Sequence, residues 1–133
     1  MFRPLATSLN AAVLGASTLL AVSVAPSLAE GNAEAGEQQF RRCAGCHQIG
    51  DAPARPTGPS LNGVVGRAVA STDFNYSDGL AARSGEVWTN ELLAEYIVDP
   101  TTFIGVRSTM PSQRLREEQL ADVIAYLGTA TAE

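Results

Sequence analysis

Apolar and polar residues along this chain recur with the period of helices. Between Thr89 and Pro100, the residues Leu92, Leu93, Tyr96 and Ile97 fall on one face. That spacing predicts an amphipathic helix capped by Thr89 and ended by Pro100. A second stripe, Leu120, Val123, Ile124 and Leu127, predicts a helix from about Leu115 to Leu127, with Gly128 as its stop. A third helix is predicted from a cap at Asn32 to about Arg42. Glu34 lies in its first turn, where a carboxylate suits the helix dipole. Residues 48–86 are rich in Gly, Pro, Ser, Thr and Asn and show no period; they predict ordered loop with one short helix after Ser77. Residues 100–114 predict a second loop. No segment sustains the alternation of a strand and there is no internal repeat, so the pattern indicates one small all-α domain.

The first residues read differently. Arg3 precedes an apolar run from about Leu9 to Ala25, and Ser27-Leu28-Ala29 puts small residues where a signal peptidase cuts. Residues 1–29 are therefore expected to be a cleaved secretory signal peptide, leaving 30–133 as the domain, located in the periplasm. The apolar run carries Asn10, Ser17, Thr18 and Ser23, and it falls short of the roughly 20 residues of a transmembrane helix. The full chain has nine basic and 14 acidic residues, and all nine bases are arginine. Without Arg3 the balance becomes eight against 14, a net charge of −6. An acidic domain of this kind is not expected to bind nucleic acid, which favours basic surfaces. A chain this short builds a limited core unaided, and a buried cofactor would extend it.

Both cysteines and the only histidine lie within Cys43-Ala44-Gly45-Cys46-His47. A structural bridge across two residues closes too short a loop to stabilise much. Four zinc ligands cannot be assembled without a third cysteine or a second histidine. A thioredoxin-type redox pair needs a βαβ context, which the pattern lacks. Cys-x-x-Cys-His is also the attachment motif of a c-type haem. On that reading Cys43 and Cys46 form thioethers with the two vinyl groups, and His47 rises beneath the iron as proximal ligand. Of the two methionines, Met1 leaves with the signal peptide. Met110, in the loop before the last helix and followed by Pro111, is by elimination the best candidate for the sixth ligand. Its alternative role is core filler. His/Met ligation raises the reduction potential and leaves no open site for a substrate.

The chain resembles a class I c-type cytochrome of the mitochondrial and bacterial c2 group across nearly all of residues 30–133. The resemblance rests on Gly36 and Phe40, the Cys43–His47 motif, Thr57-Gly58-Pro59-Ser60-Leu61, Gly63, Gly66-Arg67, Phe74-Asn75-Tyr76-Ser77, Trp88, Tyr96, Pro100, Met110 and Ile124-Ala125-Tyr126-Leu127. It implies the class I cytochrome c fold, with helices and loops wrapped around one covalently bound haem c. It implies that the segment at Pro59 backs the His47 ring and accepts its N–H, fixing its orientation and basicity. Tyr76 and Trp88 would donate hydrogen bonds to a buried haem propionate. The sequence departs from the family at Ser112, where an aromatic residue is usual, in a longer methionine loop, and at Leu80, where asparagine is usual.

The implied function is that of a soluble, exported carrier of single electrons, with no enzyme activity, between membrane-bound redox complexes. A bc-type complex, a terminal oxidase and a photosynthetic reaction centre are its possible partners, and a monomer is expected. A catalytic or ligand-sensing haem protein, in which Met110 is off the iron, is the second reading. The family usually surrounds the haem edge with lysines, and here there are none. Instead Arg41 and Arg42 flank the attachment motif and Arg107, Arg114 and Arg116 flank Met110, with no carboxylate in Gln38–Gly50 or Pro100–Arg116. These five arginines are the expected docking face for an acidic partner surface.

Overall fold

The computed structural model describes residues 30–131; the signal peptide expected at 1–29 lies outside them. Five helices follow one another: α1 (Ala33–Phe40), α2 (Asp78–Ala81), α3 (Asn90–Val98), α4 (Pro100–Ile104) and α5 (Glu117–Thr129). Among the described residues, extended pairing is confined to one antiparallel bridge between Ala68 and Val87.

The first and last helices form the frame. Asn32 caps α1 by accepting the Ala35 N–H through Oδ1 at 3.0 Å, as its position predicts. Its own backbone N–H donates to Asp122 Oδ1 of α5 at 2.7 Å. The two helices cross at Gly36, where a Cβ would collide with the Asp122 carbonyl and the Tyr126 side chain. One turn further on, the rings of Phe40 and Tyr126 lie 5.4 Å apart. The stripe on α5 packs inward as expected: Leu120, Val123, Ile124 and Leu127 are all buried, together with Phe40, Leu93 and Ile97. Each such side chain contributes about 1.5–3 kcal/mol through apolar burial.

Three boundaries differ from the sequence expectation. Helix α1 stops at Phe40, and the chain continues through tight turns to Cys46. Helix α5 begins at Glu117, because Arg116 takes the capping position and its N–H is accepted by Gln119 Oε1 at 3.1 Å. It runs past Gly128 to Thr129, since Gly128 keeps a negative φ and provides no left-handed stop. A further difference is α4 itself, in a segment expected to be loop. Pro100 does end α3, but a proline at the first position of a helix loses no hydrogen bond. Asp99 caps the new helix through Thr102, accepting its N–H at 3.1 Å and its hydroxyl at 2.7 Å. Gly105, with φ 72°, ends it in the left-handed conformation.

The long irregular segment is pinned at a few points. Val64, Val69 and Leu80 are buried in the core, and Gly63 N–H reaches Ala130 O at 2.9 Å. Around the bridge, Gly66 N–H donates to Trp88 O at 2.8 Å and Val69 N–H to Glu86 O at 2.9 Å. The short helix after Ser77 is α2.

Candidate functional site

One cleft is lined from every part of the chain: the motif after α1, the loop at 57–80, α3, the segment before α5, and α5. Cys43, Cys46, His47, Pro59, Tyr76, Trp88 and Met110 all contribute to its lining, so the fold brings the residues proposed for the haem site to one place, while the five expected docking arginines lie outside the lining.

The turns after Phe40 arrange the motif. Cys43 and Ala44 N–H both donate to Phe40 O, at 2.7 and 3.0 Å, and His47 N–H donates to Cys43 O at 2.9 Å. The backbone thus winds once between the cysteines and brings the histidine directly behind them. Both thiols are free; Cys43 is half-buried and Cys46 exposed. Burial pushes the Cys43 thiol above its ordinary pKa, opposed by the nearby charge of Arg42.

His47 is held on its far side. Its Nδ1 lies 2.9 Å from Pro59 O. A carbonyl oxygen only accepts, so Nδ1 carries the proton. Burial lowers the pKa of the ring, with the Pro59 hydrogen bond opposing that effect. A neutral imidazole protonated at Nδ1 leaves Nε2 with a free lone pair, the form in which histidine binds a metal. Gly58 makes this contact possible: a Cβ there would come within 2.8 Å of His47 Cε1 and 2.7 Å of Cys46 O.

Met110 is half-buried in the segment between α4 and α5. Its N–H donates to Ser108 Oγ at 3.1 Å. Burial raises the pKa of the nearby Tyr96 phenol, opposed by the Ser108 hydroxyl. Sequence reasoning placed Tyr96 in the apolar stripe of α3; it also lines the cleft, as Ser108 of the methionine segment does. Trp88 is buried, stacks on Phe103 at 5.8 Å, and lines the cleft. The Tyr76 hydroxyl is paired with Thr72 Oγ1 at 2.5 Å.

Arg67 was not foreseen as a site residue. Its Nη1 and Nη2 donate to Asn62 O at 2.6 Å and Ser60 O at 2.9 Å. Its Nε is buried without a partner, and the residue lines the cleft. The sequence signal is one cation set within the apolar stretch from Leu61 to Ala70. A buried cationic donor left unpaired costs free energy, and an anionic group in the cleft would relieve it. A haem carries its charge on carboxylates and its bulk in an apolar ring. The lining therefore fits it on three counts: free thiols at the attachment spacing, a metal-ready imidazole, and an unpaired cation.

The five arginines expected to form a docking face, Arg41, Arg42, Arg107, Arg114 and Arg116, are all exposed. Two of them are neighbours through a chain of amides. Arg42 Nη2 and Gln119 Nε2 both donate to Gln39 Oε1, at 3.5 and 3.4 Å, and Gln119 in turn accepts from the Arg116 backbone. Arg116 also pairs with Glu118 at 3.0 Å, which offsets part of its charge at the surface.

Comparison with known proteins agrees with this geometry. A family model described as Cytochrome c matches residues 33–131. Cytochrome c2 of Blastochloris viridis is 39% identical over 116 residues, spanning 86% of this chain and 90% of that protein. Cytochrome c-551 of Roseobacter denitrificans is 36% identical over 124 residues, spanning 82% and 88%. Among solved structures, cytochrome c2 from Rhodospirillum centenum superposes with a TM-score of 0.70 at 30% identity, covering 77% of this chain and all of that one.

Proposed function

The chain belongs to the cytochrome c family, and on that premise we propose that its electron moves through an iron held by His47 and Met110. As a family member it is an electron carrier, not an enzyme, and carries one covalently bound haem c. Bound haem supplies a one-electron couple, Fe(III)/Fe(II). Cys43 and Cys46 tether the ring. Pro59 O fixes the plane and tautomer of His47 and raises its basicity. Arg67, Tyr76 and Trp88 line the cleft and would hold the haem propionates, with the unpartnered Arg67 Nε offsetting the desolvation of a carboxylate. The observation that carries this reading is the convergence of His47 and Met110, distant in sequence, on the cleft that also holds both thiols.

The carrier is proposed to be exported to the periplasm after removal of residues 1–29 and to work there as a monomer. No helix among the described residues is long and apolar enough to cross a membrane. It would shuttle electrons between complexes such as a bc-type complex and a terminal oxidase or photosynthetic reaction centre, docking through the arginine face. The ligation is tested by visible and near-infrared spectra of the purified holoprotein in both redox states. A methionine–iron charge-transfer band in the ferric protein supports Met110, and its absence overturns that assignment. The shuttle is tested by reduction with an isolated bc-type complex and reoxidation by an oxidase.

A further inference from the structure

A five-residue helix leaves its last carbonyls without intrahelical partners. In α4 one of these, Phe103 O, is taken by a side chain from another part of the chain: Arg83 Nη1 donates to it at 2.7 Å. The same guanidinium lies over the Phe103 ring, with Cζ 3.6 Å from the centroid. It is aimed there by Glu86, whose two carboxylate oxygens accept from Nε and Nη2 at 2.8 and 2.7 Å. Planar, bidentate pairing of this kind fixes a guanidinium in a way that lysine cannot reproduce. Phe103 is thereby gripped by its ring and its backbone at once, while Trp88 and Tyr96 pack against the ring at 5.8 and 5.3 Å.

The residues after this grip are lightly tied. Beyond the Gly105 N–H, which closes α4 on Thr101 O and Thr102 O, the backbone to Pro111 is anchored by Ser108 N–H on Thr101 Oγ1 at 3.2 Å, Met110 N–H on Ser108 Oγ, and Gln113 Nε2 on Pro111 O at 2.8 Å. The next anchor is Gln113 N–H on Ile97 O at 3.0 Å. Val106 and Arg107 are exposed. Segments with few buried contacts and few backbone bonds are the first to open. Thr101 belongs to α4 and Ile97 to α3, so those anchors all stay within one stretch of chain. Arg83 adds a tie to this stretch from α2 and the turn behind it.

We propose that Arg83 is a latch that keeps the Met110 segment closed, a positioning residue that controls how often the methionine leaves its place in the cleft. Nothing in the ligand set requires it; it acts through α4, from which the segment hangs. This inference rests on Met110 being the sixth ligand, yet the opening of the segment can be followed without that assumption.

The experiment compares holoprotein of wild type, Arg83→Gln, Arg83→Lys and Glu86→Gln. Two quantities are read: amide hydrogen exchange at Gly105–Gln113, and the limiting rate of cyanide binding to the ferric protein. Arg83→Gln is expected to raise both about tenfold, the scale of one charge-assisted hydrogen bond. Amides of the α1–α5 frame should keep their protection. Arg83→Lys should recover only part of the effect and Glu86→Gln should give a smaller one. If Arg83→Gln proves unstable, Phe103→Leu removes the ring face, keeps the carbonyl, and should raise exchange in the same residues. Exchange and cyanide rate within about twofold of wild type in Arg83→Gln, or exchange that rises equally in the frame, would overturn the latch. A wild type without the methionine–iron band would overturn the ligation while leaving the exchange result valid.

Discussion

The Nδ1–H of His47 donates to Pro59 O across 2.9 Å, and Gly58, just before that proline, leaves no side chain between loop and ring. The contact decides both the tautomer and the tilt of the imidazole. Gly58→Ala would place a carbon 2.8 Å from Cε1, and neither a backbone carbonyl nor a tethered ring can yield cheaply. The expected outcome is a loss of about 1–3 kcal/mol in folding free energy, typical of overpacking. The reduction potential should rise, because a less basic imidazole stabilises the ferric iron less. Denaturant titration and redox titration of the holoprotein check the two parts.

Met110→Ala should keep the haem covalently attached and lose the methionine–iron charge-transfer band. The iron then accepts small exogenous ligands. Its potential falls by a substantial part of the roughly 0.8 V over which axial ligation sets haem potentials. Spectroelectrochemistry of the variant, with added imidazole, measures both. An unchanged potential would contradict the assignment.

Asp99 gives a pH dependence. Its carboxylate is held below the usual value of 3.8, first by the Thr102 hydroxyl and then by the Thr102 N–H. A depressed folded-state value means that the cap stabilises fully above the unfolded value and stops stabilising as pH falls through the folded one. Asp99→Ala should therefore be less stable than wild type at pH 7, and the gap should narrow below pH 3.8. Paired thermal melts across that range give the answer.

Ala70 has φ 53°, a left-handed conformation that a Cβ disfavours. Ala70→Gly should relieve this, and the larger entropy of the unfolded glycine chain opposes it. The expected net gain is about 0.5–1 kcal/mol, read from the shift in urea midpoint at constant slope. A destabilised variant would mean that the methyl contact with the core outweighs the backbone relief.

Docking through the arginine face predicts a transfer rate that falls with salt, because the Debye length shrinks from about 10 Å at 0.1 M to about 3 Å at 1 M. Arg107→Glu combined with Arg114→Glu should slow association at low salt and flatten that dependence. Stopped-flow transfer to an isolated partner complex is the measurement. A rate that climbs with salt in the wild type would sink the assignment of these residues.

Apolar stripes made α3 and α5 legible before any coordinates, since each buries a single face, and the side-chain caps Asn32 and Thr89 marked the starts of α1 and α3. Helix α4 was hidden because Pro100 was read as a terminator, although the same residue starts a helix once Asp99 caps it. The attachment motif announced itself through residue types whose spacing is chemically constrained. Met110 could be reached by elimination in a chain so poor in ligands. Arg67 and Arg83 could not be singled out in the same way. Their roles depend on what the irregular segment folds against, and an aperiodic run carries no signal for its distant contacts. The class I cytochrome c fold was legible through resemblance more than through periodicity, because much of the cleft wall is loop.

The bond from Asn32 N–H to Asp122 Oδ1 joins positions 90 apart, and this has a kinetic consequence. Closing a loop of that length is an entropic barrier met before any contact rewards it, and pairings of long sequence separation fold slowly. During synthesis, α1 and the Cys43–His47 motif emerge well ahead of α5. The thiols are accessible while the two ends are still apart. A ring tethered before the ends meet would give Leu93, Val123 and Leu127 of the cleft lining an apolar surface on which to collapse. The frame that closes the cleft is therefore the part of the fold with a long loop to close.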